Sequence, residues 1–270
     1  MAAGLGSRFG GDKQLVDVGP NGESFFDYAI RDSLEAGATN VVLVVRSSIE
    51  QQVLDHVGSI HPGLKVTTVC QDQHGPDRAK PWGTAHAVLC AADAITGPFV
   101  VVNADDYYGA SSYQTIVSFL SESGDTEAAL VAFELSRTLP KFGAVSRGVC
   151  AGGPDGQLTT ITETHGLLRN EQGTIVSEDP AGTYPDATLV SMNMWGLPRS
   201  LFGHLETKFE TFLSESGHEE KSEFLLPTAI SELMATGDLS VEVLSSSENW
   251  IGVTNPDDLE VARSVLLERG

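Results

Sequence analysis

Apolar and polar positions along the chain fall into two alternating rhythms. After the turn cluster Gly19-Pro20-Asn21-Gly22, the stretch SFFDYAIRDSLEAG carries apolar residues at helical spacing and stops at Gly37, which predicts an amphipathic helix. Residues 40–46 hold VVLVV between polar ends and read as a buried strand. A helix over residues 48–57 and a strand over 65–70 follow, the alternation expected of βαβ units on a parallel sheet. Residues 71–82, QDQHGPDRAKPW, are polar and rich in turn formers. Gly83-Thr84-Ala85-His86-Ala87 then opens a helix that runs through Ala92 and is ended by Gly97-Pro98. FVVV at 99–102 is the most hydrophobic strand of the chain, and it finishes in Asn103-Ala104-Asp105-Asp106.

Beyond Tyr108 the pattern loosens. It predicts a helix over 111–121 and strands over 127–135, 143–149 and 158–164, with the turn Gly152-Gly153-Pro154-Asp155-Gly156 between the last two. A strand over 188–196, helices over 199–214 and 222–236, a strand over 240–244 and a helix over 257–268 complete the series. No linker, repeat or low-complexity segment interrupts it, so the expectation is one α/β domain over residues 1–270, with halves at 1–110 and 111–270.

Composition narrows the function classes. The 37 acidic against 16 basic residues give a formal charge of −21, which argues against nucleic acid or an anionic membrane as partner. No apolar run approaches the roughly 18 residues needed to cross a bilayer, and no signal-peptide pattern opens the chain, so a cytoplasmic protein is expected. Cys70, Cys90 and Cys150 form no C-x-x-C pair, and the seven histidines lack paired metal-ligand spacing; neither zinc nor a disulfide framework is suggested.

Against that acidity the basic residues inside glycine-rich stretches gain weight. The chain opens MAAGLGSRFGGDKQL, where Gly4, Gly6, Gly10 and Gly11 surround Arg8, with Lys13 beyond. Gly4 and Gly6 can bring backbone N–H groups close to an anion, and Arg8 and Lys13 add fixed positive charge, which together describe a triphosphate cradle. The competing reading is a flexible glycine tail. The spacing matches neither G-x-G-x-x-G nor a P-loop. A phosphate-binding loop also normally follows a buried strand, and here only Met1, Ala2 and Ala3 precede it.

Two further stretches carry candidate chemistry. Gly83 could admit a planar base against the backbone at a helix N-terminus, or could simply be the N-cap. Asp105 and Asp106 lie at the carboxyl end of a buried strand, where ligands bind in open parallel sheets. They suit Mg2+ held against substrate phosphates, with a helix cap or a solvated loop as the alternative.

In this order AAGLGSRFGG-x-K, GTAHA and FVVVNADD resemble the nucleotide-sugar pyrophosphorylases, the sugar-1-phosphate nucleotidyltransferases with a glycosyltransferase-A-like fold. VSMNMWG, EFLLPTAI and NWIGVTNPDDLEVA look like a bacterial branch of them, so the resemblance spans nearly the whole chain. It implies a three-layer α/β/α fold with a Rossmann-like, mostly parallel sheet whose first strand is absent, residues 1–110 serving the nucleotide and 111–270 the sugar phosphate. It further implies that Ala3, Gly4 and Gly6 approach the nucleotide and that Arg8 binds the triphosphate. Lys13 would hold the incoming sugar phosphate, and Gln71, Gly83 and Thr84 would meet the pyrimidine, with Gln73 competing for the place of Gln71. Asp105 is implied as first magnesium ligand and Asp106 as second. Glu163 and Asn193 sit where sugar hydroxyls are met, against a plain alternative of surface or strand hydrogen bonding.

The implied reaction joins a nucleoside triphosphate, UTP favoured, to a sugar-1-phosphate and releases pyrophosphate. A nucleotide-binding module without turnover and a transferase acting on a non-sugar phosphate are the competing readings. Two departures matter. Relatives end in W-x-D-x-G-T, whose aspartate is a metal ligand, whereas this chain has Trp250-Ile251-Gly252-Val253-Thr254. The strand preceding A-A-G-x-G is also missing, which leaves unpaired backbone groups and a hole in the core and predicts a chain less stable than one extended by that strand.

Overall fold

Val42–Val45 form strand β1, and the alternation of its side chains already separates two layers. Leu43 and Val45 pack with Phe26 and Ile30 of helix α1 (Phe25–Glu35) and with Val53 and Val57 of helix α2 (Glu50–Ile60). Val44 points the other way, onto Ala87 and Ala91, at helix α3 (Thr84–Cys90) and just beyond it. These relations come from a computed structural model, which describes residues 1–4, 15–140, 143–153, 155–252 and 256–267.

β2 (Thr67–Cys70) pairs parallel to β1, with α2 as the crossover between them. β3 (Phe99–Val101) follows α3, and β4 (Asp106–Tyr107) and α4 (Ala110–Glu122) lead into β5 (Glu127–Glu134). The larger sheet continues with β6 (Val145–Gly152), β7 (Leu158–Arg169), β8 (Ile175–Glu178), β9 (Ala181–Tyr184), β10 (Leu189–Leu197) and β11 (Ser240–Ser246) in the order β11-β5-β10-β6-β7-β8-β9, with β3 joined to β10. β11 runs parallel to β5, while β10 runs antiparallel to β3, β5 and β6, so the sheet is mixed. A two-residue strand, β12 (Ile251–Gly252), pairs with β4.

Helices α5 (Leu201–Ser216) and α6 (Leu226–Thr236) join α3 on one face, burying Leu201, Leu205 and Ile230 against Trp82 and Trp195. α4 covers the other face, with Tyr113 and Ile116 against Val131 and Met194. Helix α7 (Pro256–Leu267) closes the chain, its Ala262 and Leu266 packing with Phe25 and Tyr28. The result is the three-layer α/β architecture, and among the described residues no helix is long and apolar enough to cross a membrane.

Strands β7, β8 and β9 depart from the sequence pattern. β7 extends to Arg169, five residues past its predicted end, and the β8–β9 hairpin occupies a stretch that reads as loop because Asp179-Pro180-Ala181-Gly182 looks like a turn. Short strands like these draw their stability from pairing, β8 with β7 and β9 with β8, more than from their own propensity. The cysteines behave as small buried groups: all three are free, and burial pushes their thiols up to about 11 for Cys70 and about 12 for Cys90 and Cys150.

The first residues lie between the two sheets. Met1 donates its amine to the Val102 carbonyl at 2.8 Å, Ala104 donates its N–H to Met1 O at 2.9 Å, and Ala2 donates to Val44 O at 2.6 Å. Met1 and Ala2 thus pair parallel to both neighbouring stretches. Upstream of them runs an apolar slot of about 470 Å3, bounded by the edges of β1 and β3 and floored by residues such as Phe26, Ile30, Val88, Tyr113 and Leu120.

Candidate functional site

The end of β3 becomes a site because one buried hydroxyl organises the turn that follows it. Tyr108, buried beneath α4, accepts the Asn103 backbone N–H at 3.1 Å, and its hydroxyl lies 3.2 Å from Asp106 Oδ2 and 3.0 Å from the Met192 carbonyl. Asn103 Nδ2 donates to the same Asp106 oxygen at 2.9 Å. Burial, followed by the Asp106 charge, holds the Tyr108 hydroxyl well above its ordinary range, so it stays a donor.

Asn193 reaches this turn from β10. The pairing of β10 with β5 shifts register between Ser191 and Met194, and within that bulge Asn193 adopts φ 67, the left-handed conformation that asparagine tolerates better than most side chains. The bulge aims its amide at the turn. Nδ2 donates to Asn103 Oδ1 at 3.1 Å, and Oδ1 accepts the Trp195 indole N–H at 2.9 Å. Asn193 and Asp106 are therefore coupled through Asn103. Asp105 is half-buried beside them, and the charges of both aspartates act on the Met1 amine, whose pKa burial nonetheless lowers to about 6.

Glu163 is exposed on β7, where it pairs across the ladder with Gly148. Its neighbour in that ladder is Arg147, whose guanidinium lies 4.9 Å from the centre of the Trp250 ring. Burial lowers the Arg147 pKa to about 10, while the carboxylates of Asp106 and Glu163 oppose the shift. Gly252, where related sequences carry an aspartate, is opposite Asp106 in the β12–β4 pair. A Cβ there would run into the Trp250 ring and stand 2.9 Å from Asp106 Oδ1, so a side chain at this position requires the ring to shift.

The predicted base-reading residues form a second group. Gln71 is 4% exposed at the end of β2, and its amide donates to Gly83 O at 3.0 Å and to His86 Nδ1 at 3.2 Å. Accepting there places the His86 proton on Nε2, and burial, with His74 nearby, lowers its pKa to about 4, so the ring is neutral at ordinary pH. Gly83 is the N-cap of α3 at φ 115, and a Cβ on it would overlap the Phe224 backbone. The close approach of that chain, by itself, requires glycine here. Thr84 Oγ1 accepts the Leu226 N–H at 2.9 Å, tying α3 to the start of α6. Gln73, the competitor of Gln71, is exposed.

Among the loop residues, Ala3 is buried and Gly4 exposed, whereas Gly6, Arg8 and Lys13 lie outside the described residues. The structure thus gathers Asp105, Asp106 and Asn193 around one turn, while Glu163 lies exposed on β7, on the opposite face of the ladder from Arg147; Gln71, Gly83 and Thr84 cluster separately around the start of α3. Sequence reasoning missed Asn103, Tyr108 and Arg147. Position alone could have found the first two, since they bracket the aspartates, but Arg147 carries no local signal.

In open three-layer α/β proteins ligands bind beyond the carboxyl ends of the strands, and Asp105 and Asp106 lie at such an end. Comparison with known sequences goes further: residues 1–164 match the family model described as nucleotidyl transferase, and the chain belongs to that family. A bifunctional protein GlmU of Hyphomonas neptunium (strain ATCC 15444) is 32% identical over 97 residues, a stretch that is 36% of this chain and 19% of that relative.

Solved structures agree on the fold. One, named as a glucose-1-phosphate thymidylyltransferase from Bacillus anthracis, superposes with a TM-score of 0.66 at 14% identity, over 98% of this chain and 92% of the other. The inositol-1-phosphate CTP transferase from T. maritima gives 0.67 at 15% identity, over 100% and 94%.

Proposed function

We propose that the chain is a magnesium-dependent nucleotidyltransferase, a single unit whose halves 1–110 and 111–270 bring UTP and a sugar-1-phosphate together. The observation that carries this reading is the Asn103-Asp106-Tyr108-Asn193 network, which fixes the Asp106 carboxylate just beyond the end of β3, with Asp105 next to it in the chain. An acceptor phosphate oxygen attacks the α-phosphorus, the bond to the bridging oxygen breaks, and pyrophosphate leaves. The acceptor is already an anion, so no protein nucleophile is needed.

Asp105 and Asp106 offer the hard oxygen donors that magnesium prefers, and the described residues contain no cluster of three or more ligating side chains that would form a closed cage. An open pair of carboxylates fits an ion that takes phosphates and water for its remaining ligands. Bound there, the ion would neutralise charge on the phosphates. Asp105, half-buried, is the first ligand in this reading; Asp106, already held by Asn103 and Tyr108, is the second. Asn193 and Glu163 meet the acceptor, and Gln71, with Gly83 and Thr84 behind it, faces the base. Ala3, Gly4, Gly6 and Arg8 receive the triphosphate and Lys13 the acceptor phosphate, roles that rest on the sequence resemblance.

Gly252 favours one second reading, binding of the nucleotide without turnover, because it supplies no carboxylate opposite Asp106, where related sequences carry one. Pyrophosphate release from each of four nucleoside triphosphates, with magnesium and a panel of phosphorylated sugars and polyols, separates the readings. Release with UTP and a sugar-1-phosphate is expected. Nucleotide binding with no release for any acceptor would establish the binding module.

A further inference from the structure

We propose that Arg147 binds the phosphate of the acceptor, a phosphomonoester dianion, on the Asp106 side of the sheet; this rests on the transferase reading above. Arg147 stands on β6 opposite Thr164, next to the Gly148–Glu163 pair. Its Nη2 donates to the Thr138 carbonyl at 2.6 Å, its Nε to Thr138 Oγ1 at 3.3 Å, and its Nη1 to the Ser146 carbonyl at 2.9 Å. All of these acceptors are uncharged oxygens, so the guanidinium is fixed in place without being neutralised by them. Trp250 covers one face of it.

Such a group is placed where phosphate chemistry needs one. Asp105 and Asp106 would repel a dianion, and the chain as a whole carries −21. Arg147 rests on Trp250, whose ring lies against position 252, and Gly252 pairs with Asp106 across β12 and β4, so the guanidinium stands on the Asp106 side of the sheet; a pKa of about 10 leaves it cationic across the working range. A planar guanidinium presents parallel N–H groups that match two phosphate oxygens, a geometry a lysine cannot reproduce. Arg147 exchanges no proton in this role. It offsets repulsion and orients the attacking phosphate.

The test uses the whole chain with Arg147→Met and Arg147→Lys, varying glucose-1-phosphate at saturating UTP and then UTP at saturating glucose-1-phosphate. Calorimetry of glucose-1-phosphate alone provides a readout independent of turnover. Arg147→Met is expected to raise the acceptor KM by about 30-fold or more, with the KM for UTP changed by less than about twofold; Arg147→Lys recovers part of the loss. A purely structural arginine would instead lower thermal stability and affect both substrates alike. An acceptor KM and affinity unchanged in folded Arg147→Met overturn the assignment, and if that variant does not fold, a parental acceptor KM in Arg147→Lys does so. A parent chain that neither binds nor turns over any phosphorylated acceptor overturns the transferase reading itself.

Discussion

The amine of Met1 sits where a strand would present an N–H that never carries charge, and only its protonated form is penalised there. Although the residue is half-exposed, its amine is buried against the Val102 carbonyl, and its pKa falls from 8.0 to about 6, because burial outweighs the attraction of Asp105 and Asp106. A drop of that size corresponds to about 3 kcal/mol of penalty on the charged form. Between pH 6 and 8 the unfolded chain binds more protons than the folded one, so stability rises with pH through this window. Above it the penalty is absent, and below it the penalty is complete. Acetylating the Met1 amine keeps the hydrogen bond to Val102 and removes the charge. Urea unfolding of the free and acetylated chains at pH 5.5, 7 and 8.5 isolates the effect, since other titrating groups cancel in the difference. The acetylated chain should be more stable by about 2–3 kcal/mol at pH 5.5, with little difference at pH 8.5. Equal pH profiles would refute the reasoning. The same slot makes an extension informative. Met1 lies opposite Asn103, so residues added upstream run beside Val102, Val101 and Val100 on one side and Leu43 and Val42 on the other. An apolar extension of about five residues should add a few kcal/mol, burial at about 1.5–3 per side chain exceeding an ordering cost of about 1.5 per residue. Equal thermal midpoints for the extended and original chains would show that the slot gains nothing by being filled.

Other expectations follow from single contacts. Asp105→Ala should abolish pyrophosphate release while leaving the circular dichroism spectrum and thermal midpoint near the parent's; a folded variant with parental release removes Asp105 from the metal site. Gly83→Ala meets the Phe224 backbone at a φ of 115, so it should destabilise by about 2–4 kcal/mol in urea. A cost below about 0.5 kcal/mol would mean that the α3–α6 junction yields easily. Tyr108→Phe deletes the acceptor of the Asn103 N–H and a donor near Asp106, and should cost about 1–3 kcal/mol, measured the same way. An unchanged midpoint there would show that Asn103 alone holds the turn.

What the sequence revealed follows from how local each cause is. The periodicities of residues 25–35 and 42–45 arise from faces buried by nearby elements, and they placed α1 and β1 closely. The aspartates were legible because they follow directly on the most apolar strand. Their organisation was not, since Asn193 reaches Asn103 from 90 residues away through a bulge with no signature of its own. Gly83 shows the same limit: the backbone that demands glycine there belongs to Phe224, far along the chain. β8 and β9 escaped because their pairing partner, and not their composition, makes them strands.

Gly252 and Arg147 are two sides of one arrangement. β12 sets position 252 directly against Asp106, and the Trp250 ring fills the space a side chain would need. That ring is also the surface on which the Arg147 guanidinium rests. A carboxylate at 252 would have to displace Trp250, and with it the packing that holds the cation on the Asp106 side of the sheet. Position 252 and the Arg147 guanidinium are thus coupled through one ring. Because the W-x-D-x-G-T pattern carries the tryptophan as well, the difference at this point is Gly252 in place of the aspartate, with Arg147 resting on the ring beside it. The electrostatic consequence favours a phosphate over an additional metal ligand at that point. In the transferase reading proposed above, charge neutralisation on the acceptor side falls to a guanidinium that, with a pKa of about 10, stays protonated near neutral pH.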